Sequence, residues 1–348
     1  MNRFIKTAVA AVAAVGLGLG LTACGSSSSS DDGLTKVTFM NYWTPDTNHI
    51  GVYVADQLGY YRDEGLDVDI VAVSTAGGEQ AVSTGVADFA LSTLTNVSMF
   101  DAQGGDLEMV MQVQQEPSAI WCALASNTSI TRPKDFDGKT FATFGSSESD
   151  AVVKKMIQTD GGTGDYDKVT VGTSTFQALT SGRADFGGFY STWEGVEADL
   201  YGPTLNCFAE QDYGVPGNAD SIGIITADST VQNDPELVQK FVTATQKGYM
   251  YAYEHPDEAA ELLVKAAPEA DLDIDLVKKS MQVIVDGNYW GDVSAVKDGS
   301  FTLGTVDTKS TQEYFDFLAA AGAYEDANGT VLTTAPQSTD MSTNEFVK

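Results

Sequence analysis

Apolar residues along the chain alternate between two spacings, which predict strands and helices in succession. Short apolar runs that end at Gly, Asn, Asp or Ser predict strands, and the segments between them repeat apolar residues at helical spacing. The predicted strands are Val37–Asn41, Val68–Val73, Ala87–Leu91, Met109–Val113, Thr140–Thr143, Val169–Val171, Ala184–Phe189, Leu205–Phe208 and Ile222–Thr226. From Asp234-Pro235, a typical helix start, the pattern is helical. This order predicts an α/β protein with mostly parallel sheets covered by helices on both faces.

An internal repeat predicts that the sheets belong to two similar lobes. The segment Gln80–Phe89, QAVSTGVADF, returns as Gln177–Phe186, QALTSGRADF. In each copy a glycine, Gly85 or Gly182, stands where a helix commonly ends in the left-handed conformation. Repeated helix–Gly–strand units indicate two lobes built alike.

The chain is expected to cross between these lobes twice and so to form a hinge. Lobe 1 is predicted to comprise residues 34–118 and a helical second part at 227–348, with lobe 2 at residues 119–226. The crossings fall near Pro117–Ile120 and near Thr226. Two lobes on a two-stranded hinge can close around a ligand. The expected fold is therefore a two-lobed binding-protein fold of type II, each lobe a doubly wound sheet.

The segments that follow the predicted strands have the composition of a small-molecule site. In α/β sheets, ligands bind beyond the carboxyl ends of the strands. Those segments are Tyr42–His49, Ser92–Asn96, Phe144–Glu148 and Tyr190–Glu194. They are rich in aromatic and short polar side chains and contain no Lys or Arg, as is typical of a pocket for a small organic molecule.

The amino-terminal segment predicts export and lipid anchoring. Arg3 and Lys6 precede an apolar run over residues 8–21, too short to span a bilayer but suited to a signal peptide at 1–23. The run ends in Leu-Thr-Ala-Cys, so Cys24 is predicted to be lipidated; an ordinary signal peptide with an incidental cysteine is the alternative. The small polar residues at 24–33 predict a flexible tether. The protein is therefore expected outside the cytoplasm, on the outer face of the cell membrane.

Charge and cysteine content limit the partners. A formal charge of −30 disfavours nucleic acid and anionic lipid surfaces, so the lipid anchor is the expected membrane contact. Cys122 and Cys207 lie in apolar, strand-like runs, where an extracellular disulfide and two buried thiols are both ordinary outcomes. With two histidines and these cysteines, no metal site is predicted.

Several motifs resemble those of the THI5-like solute-binding family. They include Asn41-Tyr-Trp-Thr-Pro-Asp-Thr-Asn-His49, Gly145-Ser-Ser-Glu148 and Trp193-Glu-Gly195, and the resemblance extends over nearly the whole chain after Cys24. It implies a monomeric binding protein that delivers a thiamine pyrimidine precursor, or a similar small heteroaromatic, to the permease of an ABC importer. Two positions depart from the family pattern: Asp46 stands where asparagine is common, and Ser147 replaces a proline.

The resemblance implies a flat ring as ligand, and the lining segments contain groups suited to one. Trp43 and Tyr190 follow strands in opposite lobes, so they are predicted to stack on the ring; the alternative for each is core packing. Glu194 is predicted to accept hydrogen bonds from an exocyclic amine and a protonated ring nitrogen, or else to be an ordinary helix-N-terminal carboxylate.

The remaining predicted contacts are polar or backbone groups of the same segments. Asn48 suits the mixed donor and acceptor edge of an aminopyrimidine, but it is equally a common helix N-cap. Ser146 is expected to bind the ligand at a helix start or simply to cap that helix. Thr93 and Gly145 complete the predicted set.

Two further functions remain open at this point. The same fold can bind a flavin precursor, nucleobase, sulfonate or nitrate, although small anions usually need a basic cleft. Relatives of the family synthesise the pyrimidine phosphate itself with iron and a cysteine-rich cluster. The present chain lacks that cluster, so neither an enzyme nor a cofactor is expected.

Overall fold

A computed structural model describes residues 33–74 and 76–348. The strands are β1 Thr35–Met40, β2 Leu66–Val71, β3 Phe89–Thr93, β4 Leu107–Gln112, β5 Ala119–Leu124, β6 Thr140–Thr143, β7 Asp167–Thr170, β8 Phe186–Tyr190, β9 Leu205–Ala209 and β10 Ile222–Ala227. The α-helices are α1 Ile50–Gln57, α2 Tyr60–Asp63, α3 Gly77–Ser83, α4 Leu94–Ala102, α5 Ser147–Thr159, α6 Thr175–Thr180, α7 Glu194–Tyr201, α8 Asp228–Asn233, α9 Pro235–Glu254, α10 Pro256–Ala266, α11 Ile274–Asp286, α12 Val293–Asp298 and α13 Thr308–Ala320.

The strands form two five-stranded sheets of the same topology. The first has the order β2-β1-β3-β10-β4 and the second β7-β6-β8-β5-β9. In each sheet the fourth strand, β10 or β5, runs antiparallel to both neighbours, and the other four strands share one direction. The two-lobed α/β prediction is confirmed, with the refinement that each sheet is mixed.

One predicted boundary differs from the structure. Ile222–Thr226 was expected to end lobe 2, but β10 pairs with β3 and β4 of the first sheet. The chain therefore returns to lobe 1 before Ile222 rather than near Thr226. The reason is that β10 is the antiparallel insertion in the first sheet, just as β5 is in the second.

The repeated Ala-Asp-Phe motif has the same structural role in both lobes. Asp88 accepts a hydrogen bond from the Thr38 backbone N–H at 2.8 Å, and Asp185 accepts one from the Thr140 N–H at 2.9 Å. Each aspartate thereby ties the start of its strand to the neighbouring parallel strand. Gly85 and Gly182 before these motifs have φ of 71° and 74°, which confirms the predicted left-handed helix ends.

The carboxyl-terminal helices return to lobe 1, as predicted. Helix α9 packs along α1, and Phe241 of α9 stacks on Phe89 of β3 with ring centroids 4.0 Å apart. Proline at the first helical position and the Asp234 side chain, which accepts from the Leu237 N–H, begin α9. No helix within residues 33–74 and 76–348 combines the length and apolar character that a membrane span requires.

The two crossings between the lobes are joined by one carboxylate. Asp220, just before β10, accepts hydrogen bonds from the backbone N–H groups of Ser118 and Ala119, at 2.5 and 2.7 Å, just before β5. The Asp220 side chain is 4% exposed. The hinge is thus a pair of adjacent segments bonded through a buried side chain.

Cys122 and Cys207 form a disulfide that joins β5 to β9. A covalent link across a separation of 85 residues restricts the unfolded chain. We expect the Cys122→Ala/Cys207→Ala variant to lose about 2–4 kcal/mol of unfolding free energy. Thermal unfolding of the variant, and of the wild type with and without reductant, measures this loss. The prediction is contradicted if neither the substitutions nor the reductant lower the melting temperature.

Candidate functional site

A cavity of about 310 Å³ lies between the facing edges of the two sheets. Its aromatic lining residues are Tyr42, Trp43, Trp121, Phe141, Phe144, Phe189, Tyr190, Trp193 and Tyr314. Its acidic lining residues are Asp46, Glu148, Glu194, Glu210 and Asp220. No Lys, Arg or His is among the lining residues that the structure describes. The cavity is therefore an aromatic chamber with negative or protonatable walls.

Contacts between the lobes close the cleft over this cavity. Trp43 of lobe 1 meets Phe144 of lobe 2 edge to face, with ring centroids 5.3 Å apart. Beside the cavity, the Tyr314 hydroxyl of α13 donates to Glu148 Oε1 of α5 at 2.9 Å. At the other flank, Ser280 of α11 donates to the Thr192 carbonyl before α7. The cavity is thus flanked by contacts between the two lobes.

The segment after β1 is held in shape by His49. The fully buried imidazole accepts the Tyr42 N–H at Nε2, at 3.1 Å, and its Nδ1 lies 2.9 Å from Asp46 Oδ1. Because Nε2 accepts, Nδ1 is assigned the ring proton and donates it to Asp46 Oδ1. This pair fixes the loop that carries Tyr42 and Trp43 into the cavity.

Asn48 lines the cavity and does not cap a helix. Its backbone N–H donates to Asp46 Oδ1 at 2.8 Å, and its carbonyl accepts from the Tyr249 hydroxyl. Helix α1 begins after His49, with no side-chain cap. The N-cap alternative for Asn48 is therefore not found; its side-chain NH2 group donates to Asp46 Oδ2 at 3.4 Å.

Trp43 and Tyr190 both line the cavity, from opposite lobes. Trp43 follows β1 and is half-buried, and Tyr190 is the last residue of β8. Burial raises the pKa of the Tyr190 hydroxyl well above its usual value, so that it stays a neutral donor. Both rings therefore border the cavity, one from each lobe.

Glu194 begins α7, as the helix-start alternative predicts, and it also lines the cavity. Its Oε2 accepts the Tyr190 N–H at 3.1 Å. Burial raises the pKa of Glu194 to about 7, although hydrogen bonds from the Tyr190 and Glu194 N–H groups lower it. The nearby charge of Asp46 adds to the increase. A carboxyl group with this pKa can either accept or donate at neutral pH.

The other predicted contacts divide into one lining residue and two supporting ones. Ser146 lines the cavity and also caps α5, since its Oγ accepts the Ser149 N–H at 3.2 Å. Thr93 is not among the lining residues; its Oγ1 accepts the Asn96 N–H and caps α4. Asn96, one turn later, lines the cavity instead.

Gly145 also lies outside the lining. Its φ of 100° turns the chain between Phe144 and Ser146, which both line the cavity, and its N–H donates to Thr143 Oγ1 at 2.9 Å. Its role is conformational, since few other residues adopt this backbone geometry.

Sequence reasoning missed Asp220 because it considered only the carboxyl ends of predicted strands. Strand β10 is an antiparallel insertion, so its amino end, which Asp220 precedes, reaches the same sheet edge as the carboxyl end of β3. Glu210 was missed for no such reason, since it directly follows β9, a strand that the sequence predicts. In both cases the available signal was an acidic residue beside an apolar strand.

Metal ligation finds no support in this part of the chain. Across residues 33–74 and 76–348, no three His, Cys, Asp or Glu side chains converge in the way a metal ion requires. The cavity acids are instead bonded to backbone N–H groups, to an indole and to a tyrosine hydroxyl.

Named proteins with related sequences include binding proteins and an enzyme. The formylaminopyrimidine-binding protein of Halalkalibacterium halodurans is 29% identical over 306 residues, 86% of this chain and 89% of the relative. The riboflavin-binding protein RibY of Chloroflexus aurantiacus is 27% identical, covering 90% of this chain and 86% of its own. A 4-amino-5-hydroxymethyl-2-methylpyrimidine phosphate synthase of Legionella pneumophila is 27% identical over 68% of this chain and 75% of its own.

Solved structures share the fold at lower identity. The alkanesulfonate-binding protein SsuA of Xanthomonas axonopodis superposes with a TM-score of 0.58 at 14% identity, over 71% of this chain and 83% of that one. The family model described as NMT1/THI5 like matches residues 46–259, more than half of the sequence. The chain therefore belongs to the NMT1/THI5-like family.

Proposed function

We propose that this chain is the substrate-binding protein of an ABC importer and captures a small aminopyrimidine-like ring between its lobes. One observation carries the proposal: Trp43 and Tyr190 line one cavity from opposite lobes, and Glu194 lies at its wall. The aromatic faces suit a flat ring, and the carboxyl group suits its amine and ring-nitrogen edge. The formylaminopyrimidine-binding relative, which covers most of both chains, favours the same ligand class.

The charge of the cavity argues against the anionic alternatives. A sulfonate or nitrate in this cavity would face five acidic residues and no basic lining residue. Burying an anion without a cationic partner is costly, and nearby carboxylates add repulsion. The alkanesulfonate-binding protein thus supports the fold and not its ligand for this chain.

The size of the cavity favours a single ring over a flavin. Ligand pockets span about 300–1,000 Å³, and a cavity of about 310 Å³ is at the lower end of that range. A tricyclic flavin with its ribityl chain needs more room than an aminopyrimidine. Because one relative is a riboflavin-binding protein, a flavin is the second candidate ligand.

The protein is proposed to bind and not to catalyse. The synthase relative is similar over about two thirds of this chain. Cys122 and Cys207 lie outside the cavity lining and are joined to each other, so they offer no thiol cluster at the site. A closed aromatic chamber with carboxyl edge groups is sufficient for capture and release.

The location outside the cytoplasm is part of the same proposal. It rests on the signal-peptide pattern at residues 1–23 and on Cys24, which lie outside the described residues. Binding proteins of importers deliver their ligand to a permease, and a lipidated Cys24 would keep a monomer of this chain beside it. The tether at residues 24–33 would allow the lobes to reach the permease.

Trp43→Ala is expected to weaken aminopyrimidine binding by about tenfold. The variant loses a stacking face, which adds about 0.5–1.5 kcal/mol beyond the loss of buried area, and about 1.4 kcal/mol is a factor of ten. Calorimetric titration measures the change, with Tyr201→Ala as a control because Tyr201 is 57% exposed and outside the cavity. Equal affinities of Trp43→Ala and wild type would place the ring elsewhere.

Native mass spectrometry of the protein purified from its own host tests the proposed ligand class. We expect a bound mass that corresponds to a small heteroaromatic with an exocyclic amine. A bound flavin would favour the second candidate function, and a bound sulfonate would overturn the proposal.

A further inference from the structure

Three carboxyl groups gather at the end of the cavity that adjoins the hinge. We call Glu148, Glu210 and Asp220 the hinge-side carboxylates. They come from three separate elements: Glu148 from α5, Glu210 from the turn after β9, and Asp220 from the crossing before β10. All three line the cavity. The fold brings them together, since 72 positions separate Glu148 from Asp220 along the chain (220 − 148).

One oxygen of this group is both fully buried and without a protein partner. Glu148 Oε1 accepts from the Tyr314 hydroxyl, and Asp220 Oδ2 accepts from the Ser118 and Ala119 N–H groups. Glu210 Oε2 accepts the Trp121 indole N–H at 2.9 Å. Glu210 Oε1 is buried with no hydrogen-bond partner, and the residue is 1% exposed. Buried polar atoms are nearly always paired, so this oxygen calls for a donor from a ligand.

The electrostatic surroundings specify what kind of donor. Burial raises the pKa of Glu210 to about 8, and Asp220 and Glu148 add to the increase. Burial likewise raises the pKa of Glu148 to about 7, against the hydrogen bond from Tyr314, with Asp220 adding to it. The groups that face Glu210 are thus two acids, the Trp121 indole and the Tyr314 phenol, with no cation among the lining residues. A cationic donor would relieve both the repulsion and the missing hydrogen bond.

This group is distinct from the predicted ring site but adjacent to it. Tyr190 is near both, since Asp220 and Glu148 as well as Glu194 raise the pKa of its hydroxyl, after burial and Tyr42. A ring stacked on Tyr190 with its edge at Glu194 can therefore extend a substituent toward the hinge-side carboxylates.

We propose that the ligand carries, besides its ring, a protonated amine that is bound by Glu210 with Glu148 and Asp220 around it. This inference rests on the proposed function and specifies its substrate class: an aminopyrimidine-like ring with an ammonium-bearing substituent. Asp220 also joins the two hinge segments, so the bound amine contacts the group that holds the crossings together.

The test compares two ligands that differ only in this substituent. One is 4-amino-5-hydroxymethyl-2-methylpyrimidine, and the other is its analogue with a primary amine in place of the hydroxyl. We expect the wild-type protein to prefer the amine about tenfold or more at pH 8.5, where the carboxylates are ionised and an aliphatic amine is still protonated. The preference should shrink toward pH 6, because Glu148 and Glu210 gain protons as the pH falls through about 7 and 8. Both ligands share the ring, so the proton dependence of Glu194 cancels in their ratio.

Glu210→Gln should abolish most of the amine preference while Glu108→Gln retains it. Glu108 is a matched control because burial also raises its pKa to about 7 although it lies on β4, outside the cavity lining. Glu148→Gln is the second variant should Glu210→Gln fail to fold; its amide oxygen can still accept from Tyr314. The pH dependence of the amine preference is measured in the wild type, so it tests the inference even if both variants fail to fold.

The outcomes separate this inference from the proposed function. Binding of the hydroxyl ligand without preference for the amine at pH 8.5 overturns the inference and leaves the ring proposal standing. An amine preference that persists in Glu210→Gln also overturns it. Failure of every pyrimidine to bind overturns both proposals.

Discussion

Glu194→Gln is expected to weaken aminopyrimidine binding by about tenfold to a few hundredfold. The amide keeps the shape of the side chain but replaces one acceptor with a donor and cannot share a proton with the ring nitrogen. A buried donor then faces the ligand amine or its ring N–H, and such unsatisfied groups cost about 1–3 kcal/mol, more where one is charged. About 1.4 kcal/mol corresponds to a factor of ten.

The matched control for this substitution is Glu197→Gln, one turn later on α7. Glu197 also has a raised pKa because of burial, but it does not line the cavity. Calorimetry should show normal affinity for this control and reduced affinity for Glu194→Gln. If Glu194→Gln binds aminopyrimidines as tightly as wild type, the assignment of Glu194 as the edge partner is wrong.

The affinity of wild type for a neutral aminopyrimidine should also depend on pH in a defined direction. The bound pair needs one proton, either on the Glu194 carboxyl or on the ring nitrogen. Burial raises the pKa of Glu194 to about 7, so below that pH the free protein already holds this proton and affinity is nearly constant. Above it, a proton must be taken up, and affinity should fall toward tenfold per pH unit. Trp43→Ala should keep this trend because it removes only stacking.

Cys24→Ser is expected to release the protein from the membrane. Two acyl chains give stable anchoring, whereas a polar tether without them has no affinity for a bilayer. In detergent-phase partitioning, wild type should enter the detergent phase and Cys24→Ser should remain in the aqueous phase. Equal partitioning of both would show that the anchor is not at Cys24.

The two-lobed fold could be predicted from sequence because its repeat is local. The glycine, the aspartate and the phenylalanine of each copy act within one helix–strand unit, as Asp88 and Asp185 show by bonding the neighbouring strand. The position of β10 could not be read in this way, because an apolar run does not reveal whether it pairs parallel or antiparallel. The return crossing was therefore placed about five residues too late on the basis of the pattern alone.

The same distinction between local patterns and long-range packing applies to the residues of the candidate site. Trp43, Asn48, Ser146, Tyr190 and Glu194 follow parallel strands or begin helices at the sheet edge, where the general rule for α/β sheets places ligands. Asp220 reaches that edge from the amino end of the antiparallel strand β10, Glu210 from the carboxyl end of β9, and Tyr314 from α13. Long-range packing positions Asp220 and Tyr314, whereas Glu210 directly follows a strand that the sequence predicts. Thr93 caps α4 and is not among the lining residues, and its residue type is as common in helix caps as in binding sites.

The central claim is that the closed cleft holds an aminopyrimidine-like ring. Calorimetric titration of the ligand-free wild-type protein tests it most directly, with 4-amino-5-hydroxymethyl-2-methylpyrimidine, its primary-amine analogue, riboflavin, an alkanesulfonate and nitrate as ligands. We predict saturable binding of both pyrimidines, and at pH 8.5 the amine should bind more tightly than the hydroxyl ligand. The sulfonate and nitrate should show no measurable binding. Saturable binding of an anion, with no heat from either pyrimidine, would contradict the account.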